Sequence, residues 1–305
     1  MFHKLIKRVL KRIKQILKKF YMVKIRKYVR LSSYPYVSGD TFRKHSDFIY
    51  DEISFPKFEN INSGDTLFVK TDYLNQFVDE HLDEIKEGIT IIFHNSDKSF
   101  LEKHIENFTK KNITVFSQNL DIDIQNTKNI HPLPIGIENR SYLMHGRLKN
   151  FEKYMINNSN FKTEMILSAF NPNTNPERLE ILKLVGQQKN INFLRFSSHK
   201  EYLKNVSLHK FNICPEGNGI DTHRFWESLM MNTIPFVKKN NLVLNFKKLG
   251  VPCYIVDEWS ELNELNLESL DSFYNDNLKI LEKKEYIYFD YWNNFIKKNK
   301  KFNLD

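Results

Sequence analysis

The sequence predicts an α/β protein with two Rossmann-like halves, on three observations. Strand-like and helix-like stretches alternate between residues 66 and 117, the alternation resumes at Glu164, and a strand, glycine loop, helix and strand follow one another from Phe211 to Val237. Parallel strands need a crossover connection, so such alternation folds as parallel sheets with helices on their faces. At 305 residues and 41% hydrophobic content, the chain buries a real core and is long enough for two domains of ordinary size.

The N-terminal stretch stands apart. From Lys4 to about Tyr28 the apolar residues Leu5, Val9, Ile13, Ile16, Leu17 and Phe20 keep helical spacing while lysines and arginines fill the other positions. This predicts a basic amphipathic helix over residues 4–28, lying on an anionic membrane surface or else packed on the body or on a second subunit. The formal charge of +9 suggests nucleic acid until it is located. Residues 1–39 hold twelve of the 46 Lys and Arg and no Asp or Glu, leaving 34 basic against 37 acidic residues in the rest. The body therefore carries no phosphate-backbone footprint, and no nucleic-acid partner is expected. Ser32 to Asp40, with Pro35 and Gly39, reads as a linker.

In the first half, Thr66–Lys70, Ile89–His94 and Ile113–Ser117 read as strands, and Asp72–Lys86 and Ser99–Lys111 as helices. Ligands of parallel sheets bind beyond the carboxyl ends of the strands. The loops Lys70-Thr71-Asp72, His94-Asn95-Ser96-Asp97 and Gln118-Asn119 all belong to that rim. Ile130 to Glu138 reads as strand then turn, fixed by Pro132, Pro134 and Gly136.

In the second half, Met165–Phe170 and Ile191–Phe196 read as strands, and Pro176–Gln188 and His199–Asn205 as helices. Arg178 lies in the first turn of its helix. A cation there opposes the helix dipole unless an anion is near, which makes Arg178 a phosphate candidate; a solvated arginine is the alternative. Phe211–Cys214 is then a strand, and Pro215-Glu216-Gly217-Asn218-Gly219 a turn whose glycines can take positive φ and admit a ligand to the backbone. A helix starts near Asp221, with Asp221 or Thr222 as N-cap, and its free amides attract an anion such as a diphosphate. Arg224 and Glu227 recur on one face. Arginine suits phosphate, and a carboxylate accepts both ribose hydroxyls. As an isolated pattern the same residues also describe a cap, a turn and an i,i+3 surface ion pair. Beyond it, Asn241–Leu249 is predicted as helix, Cys253–Val256 as strand, Leu262–Lys284 as a polar helical region and Tyr286–Lys298 as an aromatic-rich helix.

Taken over its whole length, the stretch resembles the nucleotide-sugar motif of exostosin-family and related GT-B glycosyltransferases. In that motif Pro-x-Gly-x-Gly leads into Asp-x-His-Arg-x-Trp-Glu and a short strand with Ile-Pro. Here these are Pro215 to Gly219, Asp221 to Glu227, and Ile234-Pro235. Phe93 to Asp97 and Pro134 to Arg140 are similar to acceptor-half segments of bacterial relatives. The resemblance implies a GT-B-like pair of Rossmann-like domains facing a cleft. Residues 1–37 would form the helix and linker, 38–158 the acceptor domain, 159–285 the nucleotide-sugar domain, and 286–305 a helix packing back on the first domain. It implies that Arg224 meets the diphosphate and Glu227 the ribose, with Glu216, Gly217, Asn218 and Gly219 beside the sugar and Asp221 and Thr222 at the helix start.

An acceptor hydroxyl attacking an anomeric carbon must lose a proton, so the first-half rim should supply a base. Asp97 and His94 are the candidates, Asp72 a third, with Glu138 and Arg140 secondary. Asn95, Ser96 and Asp97 also read as caps of the next helix, and Asp72 as an N-cap. Asp121-Ile122-Asp123 sits in a polar loop without a donor-like setting, so the expectation is metal-independent transfer, inverting as the resemblance suggests. The donor would be a UDP- or GDP-sugar and the acceptor a glycan, lipid-linked or protein group, in surface glycan synthesis.

Cys214 and Cys253 are in strand-like contexts outside any CxxC spacing, and read as buried free thiols. Nothing resembles a cleavable signal, and no apolar run approaches the roughly 20 residues that span a bilayer. The expected location is cytoplasmic, peripheral at the inner face of the membrane, with the sequon-like triplets at Asn112, Asn157 and Asn205 incidental. A membrane-surface adaptor that keeps the fold without turnover, or a nucleic-acid binder acting through residues 4–30, are the competing readings.

Overall fold

The computed structural model of the chain describes residues 10, 13–18, 20–143, 145–155 and 162–300. Residues 4–9, 11, 12 and 19 of the expected N-terminal helix lie outside the described residues, as do Asn157 and the boundary expected at 158–159. Leu10, residues 13–18 and Phe20 are helical. The described body is a GT-B-like pair of Rossmann-like units, each built on a five-stranded parallel sheet, facing a common cleft.

The first sheet contains β1 (Phe48–Tyr50), β2 (Thr66–Lys70), β3 (Thr90–His94), β4 (Thr114–Ser117) and β5 (Ile130–Pro132), in that spatial order and all parallel. Parallel strands are covered on both faces, so their middles read as unbroken apolar runs. Leu67-Phe68-Val69 and Ile91-Ile92-Phe93 are such runs, and all six residues are buried. Strands added in one direction by right-handed crossovers put their connections on a single face. There, Phe77 of α2 (Leu74–Glu80) and Phe108 of α3 (Ile105–Thr109) pack on Phe93. The opposite face, carrying Phe116 and His94, is covered from both ends of the chain. Phe42 of α1 (Gly39–Lys44) packs on His94, and Phe295 of α10 (Phe289–Asn299) on Phe116.

Four differences from the sequence reading have local causes. The expected linker ends in α1, which starts because the Ser38 side chain accepts from the Thr41 amide. The helix expected over 72–86 breaks into α2 flanked by two 3-10 turns, Thr71–Tyr73 and Leu82–Glu84. The helix expected from Ser99 begins only as a 3-10 turn at Glu102, so Asp97 caps nothing. Asp72 is no N-cap either, because its carboxylate takes Ser96 Oγ at 2.7 Å and Lys70 Nζ at 3.0 Å.

The second sheet contains β6 (Glu164–Ser168), β7 (Ile191–Phe193), β8 (His209–Ile213), β9 (Ile234–Lys238) and β10 (Tyr254–Val256). Its order is β7-β6-β8-β9-β10, all parallel. The chain steps one way from β6 to β7, then jumps back to add β8 on the other side. The connections after β6 and β8 therefore leave toward opposite faces and open a crevice between them, the switch point at which such sheets bind ligands. Helix α4 (Leu148–Met155) precedes β6. Helices α5 (Glu177–Val185), α6 (His199–Val206), α7 (His223–Met230), α8 (Asn241–Lys248) and α9 (Leu267–Lys283) complete this unit. Cys214 and Cys253 are buried free thiols.

Candidate functional site

The switch point is where the glycine loop lies. Arg178, on the first turn of α5, binds the two loops that flank it. Its Nε donates to Glu216 O at 2.6 Å, Nη2 to Pro215 O at 3.0 Å and Nη1 to Asn171 O at 2.8 Å. Three carbonyls therefore explain this cation at a helix start. Burial, with the Arg224 charge nearby, lowers its pKa to about 10, and it stays charged at neutral pH. A guanidinium has five N–H groups, so two remain after this bracing.

The two glycines do not take the positive φ that the turn reading allowed. What they admit is protein. A Cβ on Gly219 would stand 2.8 Å from Asn119 Nδ2 of the first unit, and one on Gly217 would stand 3.3 Å from Arg178 Nη2. Glu216 accepts from Asn240 at 2.8 Å, while Asn218 is exposed on the cleft.

Asp221 is not the N-cap. That position belongs to Thr222, whose side chain makes no capping bond. The Asp221 carboxylate reaches instead into the other unit, accepting from the Ile135 amide at 2.7 Å and from its own helix's Trp226 Nε1 at 2.9 Å. Its amide donates to Asn119 Oδ1 at 2.9 Å. Burial outweighs these bonds and raises the carboxyl to about 7. Among the described residues, the amides of His223 and Arg224 find no protein acceptor, which leaves the start of α7 open to an anion.

Arg224 and Glu227 do not form the i,i+3 pair. Among the described residues Arg224 uses only its Nε, donating to Ala169 O at 2.9 Å, and it lines the cleft. Glu227 Oε1 lies 2.8 Å from Nε2 of His199, the first residue of α6. Burial works against the Glu227 charge, but His199 and then His223 and Arg224 hold its pKa below the usual carboxylate value. Its second oxygen makes no bond to the described residues. No local signal marks His199, which is distant along the chain, nor His145, whose ring stacks on it at 4.9 Å.

His223 was also missed, although it lies inside the motif. Its Nδ1 is 2.7 Å from Gly136 O, and its Nε2 is 3.5 Å from Glu138 Oε1. Burial opposes a charge on this ring, but Glu138 and the Gly136 carbonyl outweigh it and raise the pKa to about 9. Burial would raise Glu138, yet the same imidazolium and the Asn139 amide hold it below its ordinary value.

His94 is not placed to act as a base. Its ring is 1% exposed; Nδ1 accepts from the Asn95 amide at 2.8 Å and Nε2 donates to Pro134 O at 3.0 Å. Burial lowers its pKa to about 4, so it is a neutral core residue. Asp97 is different: exposed on the same rim, it lines the cleft and hydrogen-bonds to none of the described residues. Asp121 lies outside the cleft lining and accepts from Asn241 at 3.2 Å, tying α8 to the first unit. Among the described residues no group of three or more His, Cys, Asp or Glu is gathered to hold a metal ion.

Both units line one cleft of about 910 Å³, within the range of small-ligand sites. Glu138, Asn95, Ser96 and Asp97 form part of one wall; the glycine loop, His223, Arg224 and Glu227 form the other.

No protein-family model matches the sequence, and no curated protein matches it. Solved structures of similar chain course do exist. One described as the OtsA apo structure aligns over 79% of this chain and 74% of its own, at 11% identity and a TM-score of 0.46. Trehalose-6-phosphate from E. coli bound with UDP-2-fluoro glucose aligns over the same shares at 10% identity and 0.42. An α,α-trehalose-phosphate synthase (UDP-forming) from Burkholderia vietnamiensis aligns over 78% of this chain and 75% of its own, at 11% and 0.42. At these values the likeness bears on neither activity nor substrate.

Proposed function

We propose that this chain is a glycosyltransferase that moves a sugar from a nucleoside diphosphate, as a UDP- or GDP-sugar, to an acceptor held in the cleft. One observation carries the reading. Arg224 and Glu227 open onto the cleft from a helix that starts at the switch point of the second sheet, with two unused amides at its head.

The donor lies with its diphosphate at those amides and at the free nitrogens of Arg224, and its ribose at Glu227. As the acceptor oxygen bonds to the anomeric carbon, the bond from that carbon to the diphosphate oxygen breaks and the electron pair leaves with the diphosphate. Fixed positive groups aimed at that growing charge are worth about 3–4 kcal/mol each in such sites. Arg224 and the His223 imidazolium supply this role, with Arg178 holding the loop behind them, so transfer proceeds without a metal in this reading. Asp97, free on the opposite wall, takes the acceptor proton, and attack from that wall inverts the anomeric centre. The product belongs to a surface glycan made at the inner face of the membrane.

Thermal-shift titration with UDP-, GDP- and CMP-sugars tests the donor site. A ligand at a hundred times its Kd adds about 2.7 kcal/mol to native stability. One nucleotide series should raise the Tm of the wild type and fail to do so in Arg224→Ala and Glu227→Ala. Equal shifts in all three proteins would place the donor elsewhere.

A further inference from the structure

The cleft wall contributed by the first unit carries cations that the donor does not use. Arg26, Lys27, Arg30, Lys70 and Lys98 all line it. Three of them are occupied: Arg30 pairs with Asp40 and Glu52, Lys70 with Glu52 and Asp72, and Lys98 donates to Asp72 O. Arg26 and Lys27 have no carboxylate partner among the described residues. Arg26 lies over the Tyr142 ring at 4.1 Å, and Lys27 over Tyr28 at 5.0 Å. The segment that bears them is fastened to the wall, because Tyr21 Oη donates to Ser141 O at 2.9 Å.

Just before this segment the surface turns apolar. Leu10, Ile13, Ile16, Leu17 and Phe20 keep helical spacing and are each 46–62% exposed. Of the fifteen exposed large hydrophobics among the described residues, nine fall between Leu10 and Tyr34, so these residues form a concentrated strip rather than scattered exceptions. Lys14 and Lys24 flank the strip, and no described helix is long and apolar enough to cross a membrane. An apolar strip bordered by cations fits the boundary of an anionic bilayer, where such helices sink about 5–10 Å. Phe20 and Arg26 are six residues apart, separated only by the short π-helical stretch Tyr21–Ile25. The two unpaired cations at the cleft mouth are therefore within reach of headgroup phosphates.

We propose that the acceptor is a lipid-linked saccharide phosphate, drawn from an anionic bilayer on which the Leu10–Phe20 strip rests, with its phosphate held by Arg26 and Lys27. The proposal rests on the reading of the cleft as a glycosyl-transfer site. A soluble sugar phosphate has the same charge but no use for the strip, and the adjacency of strip and cations favours the lipid-borne form.

Flotation of the full chain tests it, using phosphatidylcholine vesicles alone, with phosphatidylglycerol, and with polyprenyl phosphate at matched negative charge. Wild type should float with both anionic vesicles, and Ile13→Ser/Leu17→Ser with neither. Lys14→Gln/Lys24→Gln should weaken both alike. Arg26→Gln/Lys27→Gln should lose roughly tenfold more affinity for polyprenyl phosphate than for phosphatidylglycerol. Equal losses for the two lipids would reduce Arg26 and Lys27 to general surface charge and overturn the proposal. So would displacement of the protein from polyprenyl phosphate by millimolar inorganic phosphate, which would indicate a soluble anion. Thermal shifts with UDP- and GDP-sugars on the same proteins report the donor site separately. Lipid selectivity without any nucleotide shift would sink the donor reading, and a nucleotide shift without selectivity would sink this one.

Discussion

His223 and Glu138 come from different units and meet across the cleft, imidazole Nε2 to carboxylate Oε1 at 3.5 Å. The pair is a charged contact between the two units beside the open start of α7. The folded pKa of His223, about 9, lies above its ordinary 6.5. The stability it contributes is therefore fully present below pH 6.5 and is lost as the pH rises through about 9. Chemical denaturation of wild type and His223→Asn at pH 6, 7.5 and 9.5 should show a stability difference that shrinks steadily along that series. A constant difference would mean that the ring is held uncharged.

Asp221 shifts stability in the same sense, over a lower pH range. Its folded pKa of about 7 lies above the ordinary 3.8, so the fold retains a proton that the unfolded chain gives up. A carboxyl raised by burial costs stability as the pH rises from about 4 through 7. Relative to wild type, Asp221→Asn should gain Tm between pH 5 and pH 8. Asp221→Ala should be destabilised at both, since the Ile135 and Trp226 N–H groups lose their acceptor at about 1–3 kcal/mol each.

Arg224→Ala separates chemistry from folding. The side chain gives the protein one hydrogen bond, to Ala169 O, so stability should fall by no more than about 1.5 kcal/mol. Turnover of the cognate nucleotide sugar should fall by about 100- to 1000-fold, as when one preorganised donor is removed from a reacting centre. Rates measured beside Tm check both parts.

Asp97→Asn and His94→Asn should part company. Asp97→Asn should keep its nucleotide thermal shift and its Tm while losing transfer, because the carboxylate is exposed and bonds to none of the described residues. His94→Asn should unsettle the fold, because it removes a buried ring that joins Asn95 to Pro134. Transfer retained by Asp97→Asn would put the base elsewhere on the wall.

Which features were readable in the sequence follows from how local their causes are. The central strands were legible because parallel strands are apolar throughout, as Ile91-Ile92-Phe93 shows. The motif was legible because Gly217, Gly219, Arg224 and Glu227 are close along the chain. Their partners were not, since Asn119, Ile135, Gly136 and His199 reach them only through the tertiary fold. His94 reads as a candidate base from its place at a strand end on the rim; the Pro134 carbonyl that engages its ring lies forty residues on. Residues 72–86 read as one helix because the 3-10 turns at either end carry a similar apolar spacing.

Gly219→Ala should be tolerated only with a second change. The added methyl would stand 2.8 Å from Asn119 Nδ2, closer than packed atoms sit. The single variant should lose about 1–3 kcal/mol, typical of overpacking. Asn119→Gly alone removes the acceptor of the Asp221 amide. Adding it to Gly219→Ala should recover part of the loss, a non-additivity that a double-mutant cycle of denaturation midpoints will measure.

The reach of Asp221 to the Ile135 amide also limits how this protein can be recombined. A chimera that grafted the second sheet and its helices onto a foreign first lobe would strand a buried acid group without its principal donor. The edge from Asn119 to Glu138 has to travel with the transplanted lobe, although the chain itself counts that edge among the residues of the other half.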